Sequence, residues 1–325
     1  MEHGDYTVGW ICALPTELAA AMAMLDERHN PLTQDSCDHN NYSLGRIGVH
    51  NVAIACLPAG GTGTTSAAIV ASHILSTFPS IRIGLMVGVG GGAPNARNDI
   101  RLGDVVISKP ANTSGGVIQY DFGKTVQEGR FVRTGSLNRP PNVLLNAVTA
   151  LQGRHLMEEP ELTKYLSEMT SKYPKMQEAG TYPGPRHDQL FEAKYNHGAG
   201  DDTCASCDHR HTVSRSVRSE SVPAVHYGLI ASGNQVMRDG ITRERLQQEL
   251  DVLCFEMEAA GLMDDFPCLV IRGICDYSDT HKNKRWQPYA AAVAAAYAKE
   301  LLYVISASQV EITRSIGETK AKECE

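Results

Sequence analysis

Positive charge is in short supply: 30 Lys and Arg face 37 Asp and Glu, a formal net charge of −7. A chain without a basic field lacks the general electrostatic footprint of a nucleic-acid binder or a membrane-surface protein, so any anion site must be local. Long apolar runs are missing too: none could span a bilayer, and the first residues, MEHGDYTVGW, place no basic leader ahead of an apolar core. The expectation is a soluble, cytoplasmic protein with neither nucleic-acid nor membrane partners. Cysteine is sparse and unpatterned, nine residues scattered singly apart from Cys204 and Cys207. An odd, dispersed set argues for reduced thiols and against a secreted disulfide framework. No internal repeat is visible.

What is present is enough apolar sequence, 42% of 325 residues, to build a real core. YTVGWICAL reads as a strand ended by Pro15, and TELAAAMAMLDE as a helix with Thr16 as its cap and Glu17 in its first turn. HNVAIACLPA, GTTSAAIVASHILSTF, IRIGLMVGVGGG and LGDVVIS continue the alternation of strand and helix. Such alternation predicts an α/β fold, a mixed and largely parallel twisted sheet covered by helices on both faces in three αβα layers. From about 112 to 225 the pattern loosens around one helical stretch near Leu144 to Leu151, and this segment reads as an insertion. One domain over 1–310 and a polar, frayed tail over 311–325 are expected.

Glycines cluster at two strand ends, as Gly60, Gly61 and Gly63 and as Gly88, Gly90, Gly91 and Gly92. At the carboxyl ends of strands in an open α/β sheet, such glycines let backbone N–H groups approach a ligand closely. The second cluster loosely fits a dinucleotide fingerprint, but Pro94 and NARND follow where a helix should open. CFEMEAAG sets Glu256 and Glu258 inside an apolar run, where an ionised carboxylate needs a partner or a polar ligand such as a sugar diol. Asp276 ends the apolar strand CLVIRGICD and is either a turn aspartate or a general acid facing a cleft.

Six segments, GWICALPTELAA, AGGTGTTSAA, GLMVGVGGG with LGDVVIS, IASGNQVM, CFEMEAAG and VIRGICD, resemble in order the blocks of the nucleoside phosphorylase and nucleosidase superfamily. The resemblance covers roughly 6–110 and 226–305. A closer one extends to the phosphorylase-type domains at the N-termini of fungal proteins with NACHT and ankyrin or tetratricopeptide regions, a group that includes ATP nucleosidases. It implies Glu17 as the base that activates water and Asp276 as the acid that protonates the departing purine. It also implies Glu258 on the ribose hydroxyls, Met257 under the sugar, Val236 and Met237 as walls along the base, and Trp286 as an aromatic partner of the base. Gly61, Thr62, Gly90, Asn234 and Glu256 complete the expected substrate-binding set, Glu256 without a required contact.

Two departures bear on the reaction. Val89 stands where these enzymes commonly have a serine, and its side chain cannot donate a hydrogen bond to phosphate. The insertion carries Lys124, Arg130, Arg133, Arg215 and Arg218, of which Lys124, Arg215 and Arg218 are the candidate phosphate ligands; the alternative is ordinary surface charge. Cys204 and Cys207 form a lone C-x-x-C with His197, His209 and His211 nearby. A structural zinc would need two of these histidines, whereas a single pair of cysteines without a second reads as a reduced dithiol.

The resemblance therefore implies hydrolysis of the N-glycosidic bond of a purine nucleoside or nucleotide, with ATP preferred and adenine released. No cofactor is expected, and a homo-oligomer fused to NACHT or repeat domains is. The alternatives are a phosphate-dependent purine nucleoside phosphorylase and a nucleotide-sensing module without turnover.

Overall fold

The computed structural model describes residues 1–198, 203–218, 222–282 and 284–323. In chain order the first half contains strand β1 (Val8–Cys12), helix α1 (Pro15–Met24), strands β2 (Glu27–Arg28), β3 (Tyr42–Ile47) and β4 (His50–Cys56), helix α2 (Gly63–Thr77), and strands β5 (Ile83–Gly92) and β6 (Val105–Ser108). Then come β7 (Val117–Gln119), the hairpin β8 (Gly123–Thr125) and β9 (Phe131–Arg133), and helices α3 (Asn142–His155), α4 (Leu162–Lys172) and α5 (Gln177–Gly180). The last part contains β10 (Val225–Ser232), α6 (Gly240–Leu250), β11 (Val252–Glu256), β12 (Cys268–Asp276), α7 (Gln287–Val304), α8 (Ala307–Ile312) and α9 (Ile316–Glu323).

The main sheet runs β2-β3-β4-β1-β5-β12-β6-β10-β11, with β7 beside β10. Pairings β1–β4, β1–β5, β5–β12, β6–β10, β7–β10 and β10–β11 are parallel, and the others are antiparallel. The mixed, largely parallel α/β sheet expected from the alternation is present. One feature adds to it: β11 also pairs antiparallel with β5, Cys254 opposite Gly92 and Phe255 opposite Gly91. Strands β5, β12, β6, β10 and β11 thereby close on themselves. Because Asp276 also sits opposite Gly91, closure gathers the ends of β5, β11 and β12 at one point.

Helix α7 packs on β12 and β5 and against α1, with α3, α4 and α5 outside it, while α2 packs against β1, β4 and the turn Ala259–Gly261 on the opposite face. The alanines of α7 permit close approach. A Cβ added at Gly273 on β12 would lie 1.9 Å from the Ala290 carbonyl oxygen, so strand and helix backbones touch beside Arg272. Among the described residues no single helix is long and apolar enough to cross a membrane.

The 112–225 segment is more integrated than its loose pattern suggested. Leu144 and Leu151 of α3 and Leu162, Leu166 and Met169 of α4 belong to the main core. The sequence TKYLSEMTSK hides α4 because its exposed face is polar and only the i, i+3, i+4, i+7 set Leu162, Tyr165, Leu166, Met169 is buried. The C-terminal stretch forms α9, anchored by buried Ile316, whose N–H donates to the Ile81 carbonyl at 2.9 Å.

Candidate active site

Helix α1 begins at Pro15, not after Thr16, and its N-cap Leu14 has no capping side chain. Glu17 does that work: Oε2 accepts the N–H groups of Ala13 (2.7 Å) and Leu14 (3.0 Å), and Oε1 accepts the N–H of Val89 (2.8 Å). Three backbone donors therefore fix one buried carboxylate at the end of β5. The approach requires glycine at position 88, where a Cβ would stand 2.4 Å from Glu17 Oε1 and 2.7 Å from Arg272 Nη1. Burial pushes the Glu17 carboxyl upward, opposed by Arg272 and by the three N–H donors.

Arg272, in the middle of β12, is 1% exposed. Its Nη2 donates to Glu256 Oε2 and lies 3.4 Å from Glu258 Oε2, and Nη1 donates to the Val89 carbonyl at 3.3 Å. Glu256 in turn accepts the N–H groups of Glu258 (3.1 Å) and Ala259 (3.0 Å). The two glutamates thus divide their labour: Glu256 builds the turn and neutralises Arg272, while Glu258 faces the cleft with long contacts, 3.4 Å from the Gly63 N–H and 3.4 Å from Arg272 Nη2. Burial raises Glu258 to about 7, aided by the charges of Glu256 and Glu17 and opposed by Arg272.

Across the cleft Asp276 accepts the Ser278 N–H on Oδ1 (2.9 Å) and pairs through Oδ2 with Lys282 Nζ (2.9 Å). Ser278 takes the left-handed region at φ 55°, which turns the loop sharply enough to aim that N–H back. A cleft of about 340 Å³ is lined by Glu17, Thr62, Gly90, Val236, Met237, Glu256, Met257, Glu258, Arg272 and Asp276. That volume suits a small ligand. Phe255, Arg238, Lys282 and Lys284 also line it.

Most of the residues expected from the sequence therefore converge, and four groups do not. Gly61 and Asn234 stand beside the cleft; Asn234 Oδ1 accepts the Thr64 N–H at 3.0 Å and ties the loop after β10 to the start of α2. Trp286 lies outside it, fully buried against Tyr182 and Tyr289 with its indole N–H donated to the His187 carbonyl at 2.9 Å, so it does not face a base here. Arg215 pairs with Asp188 at 3.1 Å and donates to Tyr277 Oη, and Arg218 grips Asp104, Nη2 to Oδ2 2.8 Å. Both guanidiniums serve buried carboxylates of the scaffold. Lys124 sits in the exposed β8–β9 hairpin, away from the cleft lining. Of the cations that do line the cleft, Arg238 directly follows SGNQVM, Lys282 and Lys284 lie in the loop after RGICD, and Arg272 lies within RGICD itself. A charge inside an otherwise apolar strand was the signal for Arg272, since a buried guanidinium requires carboxylates and the EME run supplies them.

The phosphorylase superfamily model matches residues 7–306 of this chain. A nucleotide-binding leucine-rich repeat (NLR)-like protein of Hyaloscypha variabilis is 50% identical over 304 residues, 93% of this chain and 30% of that protein. ATP nucleosidase Cap17 of Escherichia coli is 27% identical over 301 residues, 90% of this chain and 50% of that protein. The chain thus spans about a third and a half of the length of these two curated relatives. Among solved structures, 5'-methylthioadenosine/S-adenosyl homocysteine nucleosidase of Helicobacter pylori superposes with a TM-score of 0.56 at 14% identity, covering 92% of this chain and 99% of that one. At that identity the likeness establishes the fold alone.

Proposed function

This chain belongs to the phosphorylase superfamily, and we propose that within it the protein hydrolyses the N-glycosidic bond of a purine nucleoside or nucleotide, with ATP the preferred substrate and adenine the product. The observation that carries the choice of water over phosphate is the charge balance around Arg272. This guanidinium is the buried cation of the cleft floor, and it is already committed to Glu256 and Glu258, with Glu17 facing the same space. A phosphate dianion placed there would meet three carboxylates beside a guanidinium already shared between two of them. A developing oxocarbenium ion would be favoured by the same field.

In this reading Glu17 takes a proton from water attacking C1′, and its burial-raised proton affinity suits that role. Glu258, with Met257 beneath, accepts the ribose hydroxyls. As the C1′–N9 bond breaks and its electron pair passes to the purine, Asp276, having taken up a proton from solvent when Lys282 leaves Oδ2, delivers it to the ring nitrogen of the base. Phe255, Val236 and Met237 supply apolar walls. The preference for a triphosphate is supported by Arg238, Lys282 and Lys284 at the cleft and by the name of the Escherichia coli relative. The shares of the two relatives covered support a further part of the proposal, that the chain is one domain of a longer, repeat-bearing protein; its action in the cytoplasm as a homo-oligomer is proposed with it.

Chromatography of ATP, AMP and adenosine incubated with the protein, each with and without inorganic phosphate, tests the reading. Free adenine from ATP without phosphate is expected; cleavage of adenosine only when phosphate is added would make the protein a phosphorylase.

A further inference from the structure

Beside the cleft, residues 190–198 and 203–212 fold against the loop that follows Asp276. Phe191 stacks on His281 with ring centroids 4.1 Å apart, and Tyr195 stacks on it at 5.4 Å. The His197 N–H donates to Thr280 Oγ1 at 2.8 Å, and the Cys204 thiol points at the His281 carbonyl at 3.8 Å. At the centre of this contact the ligand atoms of His197, Cys204 and Cys207 all lie within 4.8 Å of one another. Neither cysteine is in a disulfide. His209 and His211, the other histidines near the C-x-x-C, are not in this group; His211 instead pairs with Glu192 at 3.1 Å.

We propose that His197, Cys204, Cys207 and His281 bind one zinc ion, which clips residues 190–198 and 203–212 to the loop carrying Lys282 and so positions Asp276. Two thiolates and two imidazoles form a donor set that suits tetrahedral zinc and discriminates against hard cations such as magnesium or calcium. Ligand atoms around a tetrahedral zinc stand about 3.3–3.8 Å apart, from bond lengths near 2.0–2.3 Å. The three grouped atoms need to contract only modestly to reach that spacing.

Two histidines carry the inference beyond the cysteine spacing. His197 has Nδ1 2.9 Å from the Gly198 carbonyl and Nε2 3.0 Å from the Thr203 carbonyl. A neutral imidazole has a single N–H, so it can donate to only one of these two acceptors. A metal on one nitrogen, with the other still donating to its carbonyl, resolves the conflict and is the usual outer-shell arrangement of a ligating histidine. His281 is 7% exposed, yet among the described residues neither of its ring nitrogens has a hydrogen-bond partner. Its ring lies 5.5 Å from that of His197, centroid to centroid, and Nδ1 is 3.7 Å from Asp279 Oδ1. A buried imidazole without partners is costly. A rotation that brings one nitrogen to the metal leaves the other toward the Asp279 carboxylate, and both become satisfied.

The test is metal analysis of the full chain, purified without added metal and without a histidine tag. About one zinc per chain should survive desalting, and replacing it with cobalt(II) should give the thiolate charge-transfer and intense visible bands of a tetrahedral thiolate site. Cys204→Ser and Cys207→Ser should each lose most of the zinc, and His281→Ala should lower zinc affinity by 10-fold or more. Asp276→Asn should keep the full zinc content while losing turnover, which separates the metal site from the reaction. Should the cysteine variants fail to fold, the cobalt spectrum of the unsubstituted protein still decides. A chain that retains no zinc, gives no cobalt–thiolate absorption and exposes both thiols to alkylation would overturn the proposal; full zinc affinity in His281→Ala would overturn the fourth ligand.

Discussion

Arg272 and Glu256 form a buried ion pair at the floor of the cleft, Nη2 donating to Oε2 with each side chain at most 1% exposed. The pair sits between Glu17 and Glu258 and determines what charge the cleft can accept. Removing one partner of such a pair leaves an uncompensated buried charge, which typically costs about 3–5 kcal/mol. Arg272→Met should therefore lower the unfolding free energy by about that amount, read from urea denaturation at neutral pH. A stability unchanged within 1 kcal/mol, to order of magnitude, would show that the carboxylates do not depend on Arg272.

Gly88→Ala tests the placement of Glu17 without touching its chemistry. The added Cβ would stand 2.4 Å from Oε1, so the carboxylate must move. The variant should lose about 10²-fold in kcat, the scale of a 1 Å misplacement, with KM changed much less. A variant with normal kcat would return the water to some other base.

Asp276→Asn should reduce purine release by about 10²- to 10⁴-fold while sparing binding of substrate, measured by calorimetry at equilibrium. Unchanged turnover would remove Asp276 as the acid.

The Glu258 carboxyl is held at about 7 against an ordinary 4.5, chiefly by burial. A carboxyl raised in the folded state binds its proton more tightly there than in the unfolded chain. Its contribution to stability is therefore present in full below pH 4.5 and is lost as pH rises through about 7. Glu258→Gln should remove that loss, so the difference in Tm between variant and parent should move in the variant's favour between pH 5 and pH 7.5, to order of magnitude. A difference independent of pH over that window would contradict the assignment. Ribose hydroxyls donate to the ionised form, so KM should fall over the same rise in pH.

Lys284→Ala should raise KM for ATP by about 10-fold, the scale of losing one charge-assisted contact of about 1.5 kcal/mol, and leave KM for adenosine unchanged. Equal effects on both substrates would separate this lysine from the phosphates.

Much of this site was legible because its parts lie in short, dense motifs. Glu17 lies in the first turn of a helix, Asp276 ends an apolar strand and Glu258 follows another by two residues, places where an ionisable side chain is conspicuous. What could not be read depends on partners far away in sequence. Arg218 looks like a phosphate ligand until Asp104, over a hundred positions earlier, is found beneath it. Arg215 likewise belongs to Asp188. Trp286 is expected against the base from its place along the chain, but which way its ring turns is decided by the His187 carbonyl. The closure of β11 onto β5 and the burial of α4 are tertiary outcomes that local periodicity does not encode.

The central claim is that water, not phosphate, attacks the sugar. Turnover of ATP in ¹⁸O-labelled water with inorganic phosphate present, followed by mass spectrometry of the ribose product, tests it directly. The account predicts a ribose triphosphate carrying one ¹⁸O at the anomeric carbon, at a rate independent of phosphate. A product phosphorylated at that carbon and free of solvent oxygen there would contradict it.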